Sequence, residues 1–202
     1  MPRVPDRWEI YSKFGKIIKG TRFLPCKTPL RPNLTVSLAD EMRFTPNDLI
    51  EAVPQIGLVV DFTNTKRYYN PIDFKIKEGI DYMKIYTEGK VIPKKEIISL
   101  FFETVDAFLK DSSKKNKIIV AHCTHGINRT GYFICRYMIT KLNFPPQVAI
   151  DDLFQENLIF HCPTANQKIP VSFLYHIPRK SKDCDNKMVT IFLIIPFTHK
   201  MS

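Results

Sequence analysis

Cys123 and Arg129, separated by five residues, are the side chains of this sequence with the clearest capacity for chemistry. They lie in the string His-Cys-Thr-His-Gly-Ile-Asn-Arg-Thr-Gly, residues 122–131. A thiol at the start of a helix is activated, because free backbone N–H groups and the helix dipole favour its thiolate form. A guanidinium binds two phosphoryl oxygens at once through its planar fork. The spacing therefore predicts a phosphate-binding loop in which Cys123 is the nucleophile and Arg129 the catalytic cation.

The other residues of the loop have predicted roles that follow from their types. Gly126 lets the backbone turn without a side chain that would block an anion. Thr130 places a hydroxyl beside the sulfur, where it stabilises a leaving thiolate. His122 is expected to order the loop through hydrogen bonds rather than to transfer protons. The backbone N–H groups predicted to bind phosphate belong to Thr124, His125, Gly126, Ile127, Asn128 and Arg129.

The elements that must position this loop follow from the apolar pattern of the chain. A strand-like run at residues 118–121 precedes the loop, and a helix-like run at residues 132–142 follows it. The other predicted elements are a helix that starts at Thr45 and Pro46, strands at residues 56–61 and 81–87, and helices at residues 94–110 and 147–155. This order predicts an α/β fold with a central, mostly parallel sheet flanked by helices.

Three segments of the chain differ in composition. Residues 1–40 are basic and proline-rich, which predicts an N-terminal arm packed on the domain. Residues 41–155 contain the periodic elements and form the predicted core. In residues 156–202 prolines interrupt every apolar run, so we expect a divergent and weakly structured tail.

The net charge of +10 and the isoelectric point of about 9.4 favour polyanionic partners such as nucleic acid, although a solvated basic face is the alternative. The five cysteines form no Cys-x-x-Cys pair and the N-terminus has no secretion signal, which predicts the nucleus or the cytoplasm. The most apolar run, residues 188–195, has eight residues, whereas a membrane-spanning helix needs about twenty. We therefore expect a monomer that does not associate with membranes.

The loop string, continued through Tyr132, resembles that of the cysteine-dependent phosphatase superfamily. Within this superfamily it is similar to the RNA 5′-triphosphatase branch, which contains domains of metazoan mRNA-capping enzymes and stand-alone, atypical dual-specificity phosphatases. The resemblance covers roughly residues 5–155, and the stretches that carry it outside the loop are residues 5–8, 20–23, 61–69 and 135–137. Phosphoinositide phosphatases of the superfamily typically have lysines where this loop has Thr124 and Ile127, which argues against inositol headgroups.

The resemblance implies a cysteine-phosphatase fold and removal of terminal phosphates from RNA 5′ ends through a cysteinyl-phosphate intermediate. It implies no cofactor and no metal ion, because the loop supplies the positive field. The implied partners are RNA 5′ ends, with RNA-processing ribonucleoproteins as further candidates. The final helix of the family has no counterpart after Gln155, so we expect it to be missing. Two alternatives stay open: a dual-specificity protein phosphatase, and a truncated form that binds RNA ends without turnover.

The leaving group helps to choose among these substrates. Protein phosphatases of the superfamily protonate it with an aspartate, but residues 88–95, where that aspartate is expected, contain none. A phosphate leaving group, with a pKa of roughly 6, departs without a proton more easily than an alkoxide. The missing aspartate therefore favours a phosphoanhydride. Asp61 and Glu88 remain candidate acids, and an equally good interpretation of Asp61 is a carboxylate that ties down a strand end.

The stretch around residues 61–69 also contains candidate binding residues. Lys66 and Arg67 could bind a second or third phosphate or the RNA backbone, and the alternative is an exposed basic turn. Tyr68 and Tyr69 could stack on the first base, but burial in the core is the favoured interpretation.

Overall fold

Four short segments form the central sheet of the computed structural model, which describes residues 3–75, 79–156, 173–178 and 188–193. The strands are Phe23–Lys27 (β1), Ile56–Asp61 (β2), Asp81–Lys84 (β3) and Ile118–Cys123 (β4). Neighbouring strands are parallel, in the order β1-β4-β2-β3. Every residue of β2 is buried, as expected for a strand covered on both faces. The predicted α/β fold with a mostly parallel sheet is thereby confirmed.

Helices cover both faces of this sheet. They are Pro32–Thr35 (α1), Pro46–Ala52 (α2), Ile72–Lys75 (α3), Lys95–Lys110 (α4), Asn128–Lys141 (α5) and Pro146–Glu156 (α6). Buried side chains of α4, α5 and α6 form one apolar core with Val60 and Ile119 of the sheet. Side chains of α1, α2 and α3 form a second core with the adjacent strand residues Val59 and Val120. Successive side chains of a strand point to opposite faces, so the two cores lie on opposite sides of the sheet.

The start of α2 has the capping arrangement that its sequence predicts. The Thr45 hydroxyl accepts a hydrogen bond from the Asp48 amide at 3.3 Å, and the Asp48 carboxylate accepts one from the Thr45 amide at 2.7 Å. Pro46 occupies the first turn, where its missing N–H costs nothing. The reciprocal pair satisfies N–H groups that a helix start leaves without partners.

An aromatic cluster connects the end of β2 to the helix that follows the cysteine loop. Phe62, immediately after β2, stacks on Phe133 of α5 with ring centroids 4.2 Å apart. Phe101 of α4 packs edge-on against both rings, 5.4 Å from Phe62 and 5.3 Å from Phe133. Aromatic pairs in such geometries stabilise a core beyond the area that they bury. The cluster therefore fixes α5, and the loop at its N-terminus, relative to the sheet.

Residues 1–40 contribute more to the fold than the arm that the sequence predicts, because they include β1. This strand pairs with β4 along its length and places Lys27 beside Cys123. Pro25 is tolerated because β1 lies at the edge of the sheet, where a missing N–H breaks no ladder. Trp8 is 0% exposed, so the segment before β1 is anchored in the core as well.

Two strands that the sequence did not predict lie within residues 156–202. Phe173–Pro178 (β5) and Met188–Leu193 (β6) form an antiparallel pair. Both are rich in β-branched and aromatic residues, which favour strands. The predicted weak structure of the remaining tail, and the predicted loss of the final helix, fall outside the described residues. Within the described part of the chain, none of the helices combines the length and the apolar character needed to cross a membrane.

Phe101→Ala is expected to lower the free energy of unfolding by about 3–5 kcal/mol, because it removes a ring that is 0% exposed at the centre of the aromatic cluster. Leu100→Ala on the same helix is the control, since Leu100 is 39% exposed. Leu100→Ala should change the free energy of unfolding by about 0.5 kcal/mol or less. Urea denaturation followed by circular dichroism measures both values. Equal losses in the two variants would contradict this packing.

Candidate active site

The loop between β4 and α5 holds the predicted nucleophile at its start. Cys123 is the last residue of β4, and α5 begins at Asn128. The loop therefore lies at the carboxyl end of a central parallel strand, the edge at which open α/β sheets bind ligands. The first N–H groups of α5 have no partners within the helix, and the helix dipole adds positive potential. This is the strand, loop and helix arrangement that the sequence predicts.

The surroundings of Cys123 favour its thiolate. The side chain is 3% exposed, and burial alone would raise the pKa of the thiol. The Arg129 guanidinium, the Thr130 hydroxyl and the backbone N–H groups of Thr130 and His125 outweigh burial and hold the pKa of Cys123 below its ordinary value. Thr130 Oγ1 is buried and has no other hydrogen-bond partner among the described residues, so its proton is available to the sulfur.

Backbone carbonyls from two neighbouring loops hold the guanidinium of Arg129 in place. Its Nη1 donates to the carbonyl of Phe62 at 3.0 Å and to that of Thr87 at 2.9 Å. Its Nη2 donates to Thr124 Oγ1 at 3.0 Å. A guanidinium has five N–H donors, so these three bonds leave the Nε proton and one Nη2 proton to bind an anion. The loops after β2 and β3 thus aim the fork of Arg129 before any phosphate is bound.

Gly126 is required both by its backbone conformation and by the close approach of β1. Its φ is +76°, in the left-handed region that other residues rarely adopt. A Cβ at this position would collide with the Cys26 carbonyl and would lie 2.8 Å from the Lys27 amide nitrogen. The Thr28 amide donates to the Thr124 carbonyl at 3.2 Å, so the loop is hydrogen-bonded to the segment after β1.

The segment before β1 holds the side chain of His125, a contact that sequence reasoning missed. His125 Nε2 lies 2.8 Å from the Asp6 carbonyl oxygen, and because a carbonyl only accepts, Nε2 carries the proton. The Tyr11 ring packs on the imidazole with centroids 4.8 Å apart. The backbone N–H of His125 faces the Cys123 sulfur, so these contacts support the anion cradle from outside. Asp6 and His125 are 119 residues apart, and no local pattern indicates such a contact.

Lys27 is a second important residue that the sequence did not single out. Its side chain is 1% exposed, and its Nζ donates to the carbonyls of Tyr11 at 2.8 Å and Trp8 at 3.2 Å. The same atom lies 3.5 Å from the centre of the Trp8 ring. Burial, reinforced by the charge of Lys13, lowers the pKa of Lys27 from 10.5 to about 7. The sequence did contain a signal for this role, because Lys27 ends an apolar run. A lysine in such a run is buried with it, and a buried ammonium must find hydrogen-bond acceptors.

Asp61 lies at the end of β2 as the acceptor of several hydrogen bonds. Tyr69, Tyr82 and Lys84 each donate to its Oδ2 at 2.9 Å, and the Thr63 amide donates to its Oδ1 at 2.7 Å. Burial would raise the pKa of Asp61, but the proximity of His122 and of the Lys84 ammonium, with the bonds from Lys84 and Thr63, holds it below its usual value. An ionised carboxylate with its oxygens occupied favours the interpretation of Asp61 as an anchor of the strand end.

His122 belongs to the same buried network. Its Nε2 lies 2.6 Å from the Tyr69 hydroxyl and 3.9 Å from Asp61 Oδ1. Since Tyr69 donates its proton to Asp61, the imidazole Nε2 is the donor toward Tyr69. Burial holds the pKa of His122 below its usual value despite the neighbouring carboxylate. A neutral imidazole in fixed hydrogen bonds fits the predicted role of ordering the loop.

The loop after β2 contains the two predicted basic binding residues. Lys66 and Arg67 are both exposed, and Lys66 borders a cavity beside β2 and β3. Tyr68 and Tyr69 are 6% and 5% exposed, so the interpretation of both as buried aromatics is supported. Glu88, the other candidate acid, is exposed in the loop after β3.

The remaining described cysteines differ from Cys123 in their electrostatics. Cys26 and Cys135 are free thiols in the two apolar cores. Burial raises the pKa of Cys26 well above its usual value and that of Cys135 to about 12. Of the three cysteines in the described ranges, Cys123 is therefore the one whose surroundings favour a nucleophile.

The sequence profile "Dual specificity phosphatase, catalytic domain" matches residues 43–168 of this chain. The RNA/RNP complex-1-interacting phosphatase of Homo sapiens is 41% identical over 152 residues, covering 73% of this chain and 46% of that protein. The homologue of that phosphatase in Caenorhabditis elegans is 42% identical over 155 residues, covering 73% of this chain and 66% of that protein. The chain thus spans about half the length of the human relative.

A tyrosine-protein phosphatase of Autographa californica nuclear polyhedrosis virus is 38% identical over 148 residues, covering 73% of this chain and 86% of that protein. Among solved structures, PTPMT1 has a TM-score of 0.53 at 14% identity, over 73% of this chain and 85% of that one. Tk-PTP in its active form has a TM-score of 0.52 at 12% identity, over 71% and 84% of the two chains. At such low identity these two structures show a shared fold alone.

Arg129→Met is expected to raise the pKa of the Cys123 thiol, because the variant removes the cation that faces the sulfur. Arg129→Lys keeps the charge but not the anchored fork, so it should raise the pKa less. The rate of iodoacetamide alkylation of the Cys123 peptide, followed against pH by mass spectrometry, measures both. If alkylation of Cys123 had the same pH midpoint in Arg129→Met as in the wild type, Arg129 would not be the cation that favours the thiolate.

Lys27→Met is expected to change how stability depends on pH. The pKa of Lys27 is about 7 in the folded protein, against an ordinary value of 10.5. Between these values the unfolded chain binds a proton that the folded protein has released, so this group makes stability rise with pH. The unfolding temperature of the wild type minus that of Lys27→Met, measured by calorimetry, should therefore increase from pH 7 to pH 10. A constant difference would mean that the ammonium stays protonated.

Proposed function

This chain belongs to the dual specificity phosphatase family, and we propose that its substrate within that family is the triphosphate or diphosphate at the 5′ end of RNA. In this proposal the protein is an RNA 5′-tri/diphosphatase that removes terminal phosphates through a cysteinyl-phosphate intermediate. The phosphatase assignment rests on the family match and on relatives such as the human protein, which is 41% identical. The RNA substrate rests on the chemistry of the site.

The observation that carries the choice of substrate is an anion cradle for which neither candidate acid of the sequence, Glu88 or Asp61, is positioned as a proton donor. In the loop after β3, residues 85–94, Glu88 is the sole carboxylic acid, and its side chain is exposed. Asp61 is held as an ionised acceptor by its hydrogen bonds and neighbouring charges. A serine or tyrosine leaving group needs a proton, whereas a phosphate leaving group with a pKa of roughly 6 does not. A phosphoanhydride therefore suits this site better than a phosphoester.

The residues of the site divide the reaction into two displacements. The Cys123 thiolate attacks the terminal phosphorus in line, so that an S–P bond forms as the P–O bond to the next phosphate breaks. The shortened RNA leaves with the electron pair of that bond. The two N–H groups of Arg129 that remain available, with the loop amides, hold the equatorial oxygens. Water then attacks the cysteinyl-phosphate and releases inorganic phosphate, and the Thr130 hydroxyl stabilises the departing thiolate.

The name of the human relative associates that protein with an RNA and ribonucleoprotein complex, which supports RNA 5′ ends and ribonucleoproteins as partners of this chain. We propose that the protein acts in the nucleus or the cytoplasm as a monomer. Cys26, Cys123 and Cys135 are free thiols, which suits a reducing compartment.

A dual-specificity protein phosphatase is the second candidate function. The viral relative, 86% of which this chain covers, is named a tyrosine-protein phosphatase. A phenolate leaves more easily than an alkoxide, so a slow reaction with phosphotyrosine is compatible with the same cradle. The third candidate is a form that binds RNA ends without turnover.

Product analysis of RNA labelled in its terminal phosphates separates these candidates. The full 202-residue chain should release phosphate from triphosphate-ended RNA with a kcat/KM at least tenfold above that for a phosphotyrosine peptide. Cys123→Ser should abolish release, because the alcohol cannot replace the thiolate. Binding without release in a single-turnover assay would support the third candidate. A higher kcat/KM for the peptide would support the second, and release by Cys123→Ser would exclude the covalent intermediate.

A further inference from the structure

A cavity of about 270 Å³ lies at the carboxyl ends of β2 and β3, the same edge of the sheet as the cysteine loop. Its lining includes four tyrosines and two lysines. The volume is close to the lower limit of about 300 Å³ for small-molecule sites, which suits one flat ring system rather than an extended ligand. Aromatic side chains with a few polar groups are the usual lining of such sites.

The cavity shares its walls with the backbone that holds Arg129. Asp61 and Thr63 line it, and the residue between them is Phe62, whose carbonyl accepts from Arg129 Nη1. Tyr86 lines it from the other side and is followed by Thr87, whose carbonyl accepts from the same nitrogen. The cavity and the Arg129 guanidinium therefore lie against the same two loops, those after β2 and β3.

The charged groups at the base of the cavity are already satisfied. The Lys84 ammonium donates to Asp61 at 2.9 Å, to Thr63 Oγ1 at 2.6 Å and to the Thr65 carbonyl at 2.8 Å. These three bonds use all three of its protons. The Lys84 charge also compensates that of Asp61, so the base of the cavity offers no unpaired charge to select an ion. The cavity is suited to an uncharged, polar ring.

Tyr86 is the side chain best placed to bind such a ring. It is 45% exposed, whereas Tyr68 and Tyr69 in the same lining are almost fully buried. The Lys84 ammonium lies 5.0 Å from the centre of the Tyr86 ring, which keeps this ring at the cavity. Lys66 is exposed at the border, where an ammonium can meet a backbone phosphate. An aromatic platform beside a cation is the usual arrangement for binding single-stranded nucleic acid.

We propose that this cavity binds the base of the first nucleotide of the RNA whose 5′ phosphates occupy the cysteine loop, with Tyr86 as the stacking surface. The proposal rests on the proposed RNA function and deepens it. It assigns stacking to a tyrosine after β3 and not to Tyr68 and Tyr69, for which the sequence favoured burial. Stacking accepts every base, so the site favours RNA over inorganic polyphosphate without selecting a sequence.

The test compares triphosphate-ended RNA that has a normal or an abasic first nucleotide, with the full chain and its variants. In the wild type the abasic change should lower kcat/KM about tenfold, a typical effect of one stacked base. Tyr86→Ala should lower kcat/KM for normal RNA by a similar factor and make the normal-to-abasic ratio close to one. Tyr86→Phe keeps the ring and should keep the wild-type ratio. Leu100→Ala, exposed on α4, is the matched control for side-chain truncation.

The ratio of kcat/KM for normal RNA to kcat/KM for abasic RNA distinguishes a loss of stacking from a distortion of the cysteine loop. Displacement of Thr87 and Arg129 by Tyr86→Ala would lower the rates for both RNAs equally, and the ratio would stay as in the wild type. That result, or a wild-type ratio near one, would overturn the proposal while leaving the RNA function intact. If no RNA is hydrolysed, the affinities of Cys123→Ser for the two RNAs decide: equal affinities overturn the site, and a tenfold preference for normal RNA supports it without turnover. Loss of phosphotyrosine-peptide hydrolysis alone in Tyr86→Ala would assign the cavity to peptides and overturn the proposal.

Discussion

The positioned guanidinium of Arg129 is the interaction on which the rest of this site depends. A charge that is partly removed from water is stable only where acceptors are already in place. The acceptors are the carbonyls of Phe62 and Thr87, at 3.0 Å and 2.9 Å, which come from the ends of two neighbouring strands. The parallel sheet, the aromatic cluster behind Phe62 and the loop after β3 all contribute to holding these two carbonyls. The same guanidinium then favours the Cys123 thiolate, so catalytic reactivity is a consequence of how the strand ends are arranged.

Local patterns explain how much could be predicted from the sequence. The start of α2 at Thr45, the strand before the loop and the helix after it each depend on neighbours within a few residues, and the structure has all three. The nucleophile and its arginine lie in one short string, so their chemistry could be inferred without knowledge of the fold. The parallel sheet followed from the alternation of strands and helices.

The residues that could not be predicted depend on contacts between distant parts of the chain. Lys27 was one basic residue among several until the structure placed it under Trp8 and Tyr11, with 1% exposure. From the sequence, Asp61 could be either a catalytic acid or an anchor of the strand end. The choice depends on hydrogen-bond donors from β3, which no local pattern links to β2. The sequence did not predict β1, because proline is unusual in a strand. Pro25 is acceptable only because β1 is at the edge of the sheet.

The position of β4 in the sheet has a consequence for the order in which the molecule can assemble. β4 pairs with both β1 and β2, although it is synthesised after both of them. The β2–β3 pair can form from nearby segments, but β1 must remain without its sheet partner β4 until residue 123 has left the ribosome. Long-range parallel pairing is slow, because loop-closure entropy is lost before contacts compensate it. The contact between Asp6 and His125, across 119 residues, therefore cannot support the cysteine loop until the N-terminal segment and the end of β4 have come together.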